Sequence, residues 1–337
     1  MRTEADENED EQESVIVKTV PAGGIVTGNH GPLPSLIATS GTAAAFAWEE
    51  FIFGKIRNAN TRSAYEHAIR KFLDHCDSMG RQLKSISPAD IGCYLDELPY
   101  APATKKLHLS ALRHVFDSLV SRHVLMLNPA ASVRGERLTV VEGKTPEISI
   151  QQARQLLESI CDSNIIGLRD HAIICVMIYT AARVGAVAKL QRRDFYDLGG
   201  QHCLRFQEKG GKSREIPVRH DLKRIIHNYV SKAGLEFADK STPLFRTTVR
   251  RTRQLTPNGM TSGDMARMIK RKLRVAGLPS HFSPHSFRVT TITDLLSQGI
   301  PLEDVQNLAG HADPRTTRLY DRRNRKVTRN IVERITV

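Results

Sequence analysis

Between Ala172 and Tyr179 the chain reads AIICVMIY, apolar in every direction around a helix axis. A helix of that kind is stable in water only when other elements enclose it, so it marks the centre of a helical core. Leu168 to Leu190 reads as one long helical region around it. Its small-residue end, TAARVGAVAKL, sets Arg183 among Ala181, Ala182 and Gly185. A guanidinium cannot shed its charge, so Arg183 needs an anion there; a buried carboxylate and an anionic ligand satisfy that need equally.

The rest of the chain divides around this core. With 337 residues, two domains of ordinary size are expected. Residues 1–42 open with an acidic cluster and continue through a Gly/Pro/Ser/Thr-rich stretch without hydrophobic periodicity, which predicts a disordered tail. That tail is either a plain solvated extension or a competitor with polyanions for the basic surface. Residues 43–134 read as a helical bundle. TRSAYEHAIRKFLDHCDSMG carries an apolar stripe at 65, 68, 69, 72 and 73 and stops at Gly80; Ser87-Pro88 and Pro102 start two further helices. Thr61, Arg62, Lys105, Lys106, His108 and Arg113 fall near helix starts or on outer faces, where they either meet phosphates or are simply solvated. Residues 135–146 read as a linker, and 147–337 as a second domain. In it, HCLRFQE and SREIPVR alternate like strands around a Gly-Gly turn flanked by Lys209 and Lys212. Those lysines could reach a site or merely protect a sheet edge. The fold class is therefore mainly α with a small β-hairpin or sheet.

Charge narrows the partner. Forty-nine Lys and Arg against 36 Asp and Glu give +13, and aromatics are sparse with Trp48 alone among tryptophans. This favours a polyanion. Nine basic residues and one acid lie between Arg246 and Arg274, including Arg250, Arg251, Lys270 and Arg271, which makes this stretch the first choice for a phosphate-contacting stripe. No apolar run reaches membrane-span length, so no membrane partner is expected. Cysteines 76, 93, 161, 175 and 203 are widely spaced and read as reduced core thiols rather than a disulfide or metal framework.

HSFRVTTITDLLSQGIPLEDVQNLAGHADPRTTRLY, residues 285–320, carries the chemistry. His285 and Arg288 are three apart and share a helix face. Pro301 opens the next helix and Gly310 ends it, leaving His311 on the exit turn. Asp313-Pro314 caps a last helix, with Tyr320 two turns along it. Two imidazoles, a guanidinium and a phenol thus gather at helix ends, where a phosphate could be gripped.

Arg183, Lys209, His285-x-x-Arg288, Gly310-His311 and Tyr320, in this order and spacing, resemble the tyrosine recombinase (phage-integrase-type) family over about residues 43–337. The resemblance implies a SAM-like core-binding domain followed by a catalytic domain. It also implies that Tyr320 attacks a DNA phosphodiester to give a 3′-phosphotyrosyl link and a free 5′-hydroxyl. Arg183 and Arg288 would clamp the non-bridging oxygens, His311 would donate to them, Lys209 would protonate the leaving oxygen, and His285 would take the phenol proton or hold the phosphate. A tyrosine phenol titrates near 10 in water, so such a nucleophile needs help at neutral pH. Because the phosphotyrosyl bond conserves the phosphodiester's energy, neither a cofactor nor a metal is expected. The implied partners are double-stranded DNA with inverted half-sites, a homotetramer on two DNA sites, and DNA-bending accessory proteins, in the bacterial cytoplasm at the nucleoid. The other readings left open are a type IB topoisomerase-like nicking-rejoining enzyme and an inactive DNA-binding regulator.

The chain departs from the family pattern twice: Ala186 stands where many members carry an acid, and Val289 where many carry histidine. Asp194 is the acid expected to support Arg183 instead. Beyond Tyr320, a basic stretch ending in apolar residues reads either as a helix on its own domain or, preferably, as a tail that docks on the next protomer.

Overall fold

Polar caps set the helix starts. Asn58 Oδ1 accepts from the backbone N–H groups of Asn60 and Thr61, at 3.0 and 3.1 Å, and begins helix α3 (Ala59–Ser78). Ser87 and Asp90 form a reciprocal capping box on α4 (Pro88–Glu97). Two orphan donors are satisfied at each such end. The computed structural model describes residues 31–136, 145–207, 213–249 and 252–321, and the chain falls into two units that divide at Thr139.

The first unit consists of α1 (Ser35–Ala38), α2 (Thr42–Glu49) running into a π-helical turn (Glu50–Lys55), then α3, α4 and α5 (Pro102–Ser121). α3 packs along α5. Phe72, fully buried, meets Tyr94 and Phe116 edge-on, with centroids 5.0 and 6.2 Å apart; its burial contributes roughly 1.5–3 kcal/mol. The tail expected over 1–42 is shorter than that at its C-terminal side, because Leu36 and Ile37 of α1 are buried in this core. Residues 1–30, with the acidic cluster, lie outside the described residues, as does 137–144 of the expected linker. His108 is buried, not outward: its Nδ1 lies 3.1 Å from the Tyr94 hydroxyl.

The second unit is built on α7 (Ile165–Thr180), preceded by α6 (Ile150–Glu158). Ile173, Ile174, Val176 and Met177 are 1% exposed or less, as an all-round apolar helix must be. α7 packs against α9 (His220–Lys232), α10 (Ser262–Val275) and α11 (Pro284–Ser297). The long helix expected through Leu190 is broken. Ala181 adopts a left-handed conformation (φ 49°) that ends α7, and a short α8 (Val184–Val187) follows, with Arg183 at its N-cap. Strands β1 (Phe195–Leu198), β2 (Gln201–Gln207) and β3 (Ser213–Pro217) make an antiparallel sheet in that order. The hairpin is as expected, and β1 is an additional strand. β4 (Arg246–Thr248) and β5 (Leu255–Gly259) form a second ladder where only a basic stretch was expected. Helices α12 (Leu302–Ala309) and α13 (Pro314–Arg318) close the described chain.

α7 also buries an ion network. Arg169 bonds Asp170 Oδ1 at 2.6 Å and the carbonyl of Arg246 at 2.8 Å, and Lys272 lies 3.5 Å from Asp170 Oδ2. Asp170 is wholly enclosed, so removing either cation would leave a buried charge undercompensated.

Candidate active site

The 285–320 segment folds as two helices and a short third. Ser283 forms a capping box with Ser286, and Pro284 occupies the first turn of α11. Gly310, with φ 62°, ends α12 in the left-handed conformation that glycine tolerates, and His311 follows on the exit turn. Asp313 Oδ1 accepts from the Arg315 N–H at 2.9 Å, starting α13. That helix is only five residues long, so Tyr320 lies in the turn beyond its end, not two turns inside it. The Tyr320 N–H bonds the Thr317 carbonyl at 3.0 Å.

Tyr320 is 8% exposed, and its ring belongs to an apolar cluster with Ala181, Val289, Ile292, Leu296, Val305 and Ala309. Val289, one of the two family departures, therefore packs in the cluster beneath the site. Ala186, the other, is buried in the main core. Above the ring, His285 Nε2 lies 3.1 Å from the phenol oxygen. On its flank, the His311 ring stacks with a 6° interplanar angle and 5.7 Å between centroids. His311 Nδ1 is in turn 2.8 Å from the hydroxyl of Thr317, a fully buried residue.

Arg288 is 1% exposed. Its two terminal nitrogens donate to the carbonyls of Ala181 and Ala309. The left-handed break after α7 and the end of α12 thereby fix the guanidinium plane. Arg183 is exposed at the start of α8, beside the buried Ala181 and Ala182, so of the two settings expected for it the buried ion pair is overturned. Arg183 remains close enough to act on both imidazoles. Burial first, then the Arg288 and Arg183 guanidiniums, lowers the His285 pKa, although that residue stays accessible from the solvent side. Burial first, then Arg288, Arg183, His285 and Arg214, lowers His311 to about 3. Both rings are therefore neutral at pH 7, and one can accept a proton while the other donates a neutral N–H.

Five of the six expected residues (Arg183, His285, Arg288, His311 and Tyr320) are thus brought together. Lys209 lies outside the described residues, on the stretch joining β2 to β3. Sequence reasoning missed Thr317 and Arg214. Thr317 sits six residues beyond His311, a spacing visible in the sequence. Arg214, on β3, has a guanidinium 5.5 Å over Phe206, and only the fold reveals that its charge acts on His311. Asp194 does not take up the missing acid's place: it closes a turn by accepting from the Gln191 N–H at 2.9 Å, and its other oxygen lies 3.5 Å from Arg205.

The expected phosphate-contacting residues divide. Arg62 is folded back onto the Ile56 carbonyl at 2.9 Å. Arg113 donates to the Ala130 and Val133 carbonyls. Lys105 is 3.5 Å from Glu136. These three work first as braces of the helical unit, whereas Lys106 is exposed. In the basic stripe, Arg246 bonds the Ala233 carbonyl and Lys272 is drawn to Asp170. Lys270 reaches the Ser280 carbonyl at 2.7 Å while remaining exposed, and Arg271 and Arg274 are exposed. Arg250 and Arg251 lie outside the described residues. Cys93 and Cys161 are exposed, contrary to the core role expected of all five cysteines. Among the described residues no group of three or more His, Cys, Asp or Glu could hold a metal, and no helix is long and apolar enough to cross a membrane.

The phenol, two imidazoles and two guanidiniums grouped here are the kinds of group that phosphoryl transfer to a tyrosine would use. The model of the phage integrase family matches residues 147–326, and that of the phage integrase N-terminal SAM-like domain matches residues 47–123. The chain therefore belongs to the phage integrase family, the tyrosine-type site-specific recombinases. It is 27% identical over 266 residues to tyrosine recombinase XerD of Shewanella oneidensis, covering 77% of this chain and 85% of the relative. It is 30% identical over 215 residues to XerC of Pelobacter propionicus, covering 63% and 66%. Among solved structures, the fold resembles XerH recombinase bound to its palindromic difH substrate (TM-score 0.63, 19% identity, 78% of this chain and 76% of that one). It also resembles a lambda integrase dimer on a COC′ core site (TM-score 0.63, 18% identity, 88% and 83%).

Proposed function

We propose that Tyr320 cleaves one DNA strand at a time, forming a 3′-phosphotyrosyl bond and releasing a 5′-hydroxyl, and that the chain exchanges strands between two sites through a Holliday junction. The observation that carries this reading is the phenol oxygen 3.1 Å from a neutral His285 Nε2. The imidazole accepts the phenol proton as the oxygen attacks phosphorus. Charge then grows on the non-bridging oxygens, where Arg183, Arg288 and the His311 N–H stabilise it more strongly than in the ground state. The Thr317 hydroxyl donates to His311 Nδ1, which keeps the proton on Nε2, the side that faces phosphate. Lys209 protonates the departing 5′-oxygen. In rejoining, the 5′-hydroxyl of the partner strand displaces Tyr320 by the same path in reverse, so the reaction needs no external energy source.

Four protomers on two DNA sites with inverted half-sites fit a cut-and-exchange cycle of this kind, the helical unit (43–134) and the catalytic unit (147–337) each contributing phosphate contacts. A relative named as a tyrosine recombinase, and neighbours named as a recombinase bound to its palindromic difH substrate and an integrase dimer bound to a core site, support a multimer acting on a DNA site. The residues after Tyr320 would dock on the next protomer, and accessory DNA-bending proteins would assist assembly at the nucleoid.

A duplex nicked near the cleavage point tests the chemistry, because the released fragment diffuses away and traps the covalent complex. Wild-type protein should be captured and Tyr320→Phe should not; capture by the phenylalanine variant would remove Tyr320 as nucleophile. Junction products from two such sites separate strand exchange from simple nicking and rejoining.

A further inference from the structure

Away from the active site, two imidazoles face one another across the sheet–helix boundary. His202, on β2, has its Nε2 3.1 Å from the Nε2 of His227, on α9. The other nitrogen of His202 lies 2.8 Å from Asp197 Oδ2, its cross-strand partner on β1. Phe195 packs against both rings, with centroids 5.2 and 5.1 Å away. Both histidines line an open cavity of about 670 Å³ together with Glu236.

We propose that His202 and His227 form a binding site for one borderline divalent cation of the Zn²⁺ class, with water completing the coordination. Two imidazole nitrogens, each about 2.0–2.1 Å from one zinc ion, sit a little over 3 Å apart, so the side chains already have nearly the required bite. Asp197 places a carboxylate 2.8 Å behind the far nitrogen of His202, the position from which a metal-bound imidazole is ordinarily supported, although the two do not form a hydrogen bond of good geometry. Imidazole is a preferred ligand for zinc, copper and nickel, and not for magnesium or calcium. Lys223 near His227, and Arg192, Arg193, Arg205 and Lys240 on the cavity wall, oppose a cation; Asp197 and Glu236 on the same wall favour one. Two protein ligands make a site of modest affinity, and occupancy would pin α9 to the three-stranded sheet. The site owes nothing to the reading of Tyr320, and strand cleavage does not require it.

The test is titration of the full-length, chelator-treated protein with ZnCl₂ by calorimetry, alongside thermal unfolding with and without the ion. Wild-type protein should bind one Zn²⁺ and unfold at a higher temperature in its presence. His227→Gln, at an exposed position and expected to leave the fold intact, should weaken binding by at least about tenfold and abolish the zinc-dependent rise. His202→Gln should do the same, and covalent capture of DNA should be unchanged by zinc. Absence of saturable binding, or binding that persists in the His202→Gln/His227→Gln double variant, would show a hydrogen-bonded pair only and overturn the proposal.

Discussion

His285 Nε2 and the Tyr320 hydroxyl, 35 residues apart in sequence, stand within hydrogen-bond distance at 3.1 Å. Because burial and two guanidiniums lower the histidine pKa, the ring remains a proton acceptor below the pH at which a free imidazole would be charged. The single-turnover cleavage rate should therefore hold as pH drops through 6.5 and fall only when the depressed pKa is crossed. His285→Ala should slow cleavage by roughly 10²–10⁴-fold. A pH profile with an unshifted midpoint would contradict this role.

His311 makes the fold itself acid-sensitive. Its folded-state pKa of about 3 lies below the ordinary 6.5, so the unfolded chain binds the proton more tightly. The contribution to stability is fully present above 6.5 and is lost progressively as pH falls toward 3, by an amount on the order of a few kcal/mol. Denaturant unfolding of wild type and His311→Asn across this window should show a shallower pH slope in the variant.

Thr317 is expected to act through His311. Thr317→Val keeps the shape but leaves Nδ1 unbonded in a buried place, at a cost of about 1–3 kcal/mol. Roughly tenfold or more should be lost in cleavage as the imidazole tautomer becomes unfixed. Thr317→Ser should restore most of the rate, which a purely packing role would not predict.

Arg288→Lys preserves charge but loses the planar fork. Since the guanidinium donates to both the Ala181 and Ala309 carbonyls, at least one buried carbonyl should lose its bond. Stability should fall by about 1–3 kcal/mol, together with a large loss of covalent capture and little change in DNA affinity. Thermal unfolding and trapping on the nicked duplex measure the two effects separately.

Arg271 and Arg113 should separate phosphate contact from bracing. Arg271→Ala is expected to lower the slope of log affinity against log salt by about 1. Arg113→Ala should leave that slope alone and instead destabilise the helical unit, since its donors serve Ala130 and Val133.

Much of this architecture is readable from the chain because the informative signals are local. The caps at Ser87 and Asp313, the apolar stripe of α3 and the stop at Gly310 each act within a few residues. Five of the site residues were recognisable because their order and spacing survive without any knowledge of the fold. What could not be read depends on distant partners. Ala181 breaks the long helix where its carbonyl meets Arg288, 107 residues away. Arg62, Arg113 and Lys270 look like free surface charges until the carbonyls they hold are seen. β4 and β5 escape notice because their residues alternate poorly and their pairing is irregular. His202 and His227, 25 residues apart, show no ligand spacing at all; α9 and β2 bring them together.

The residue proposed as nucleophile is also a packing side chain. Tyr320 fills a hollow shared by α7, α11 and α12, and its hydroxyl is tied to His285 in the same arrangement. Any outward swing of the ring toward a strand would vacate that hollow and uncover oily surface that a DNA complex would have to cover again. A cut needing such a swing would be coupled to a local rearrangement that a stray phosphate ester gives the molecule little to drive.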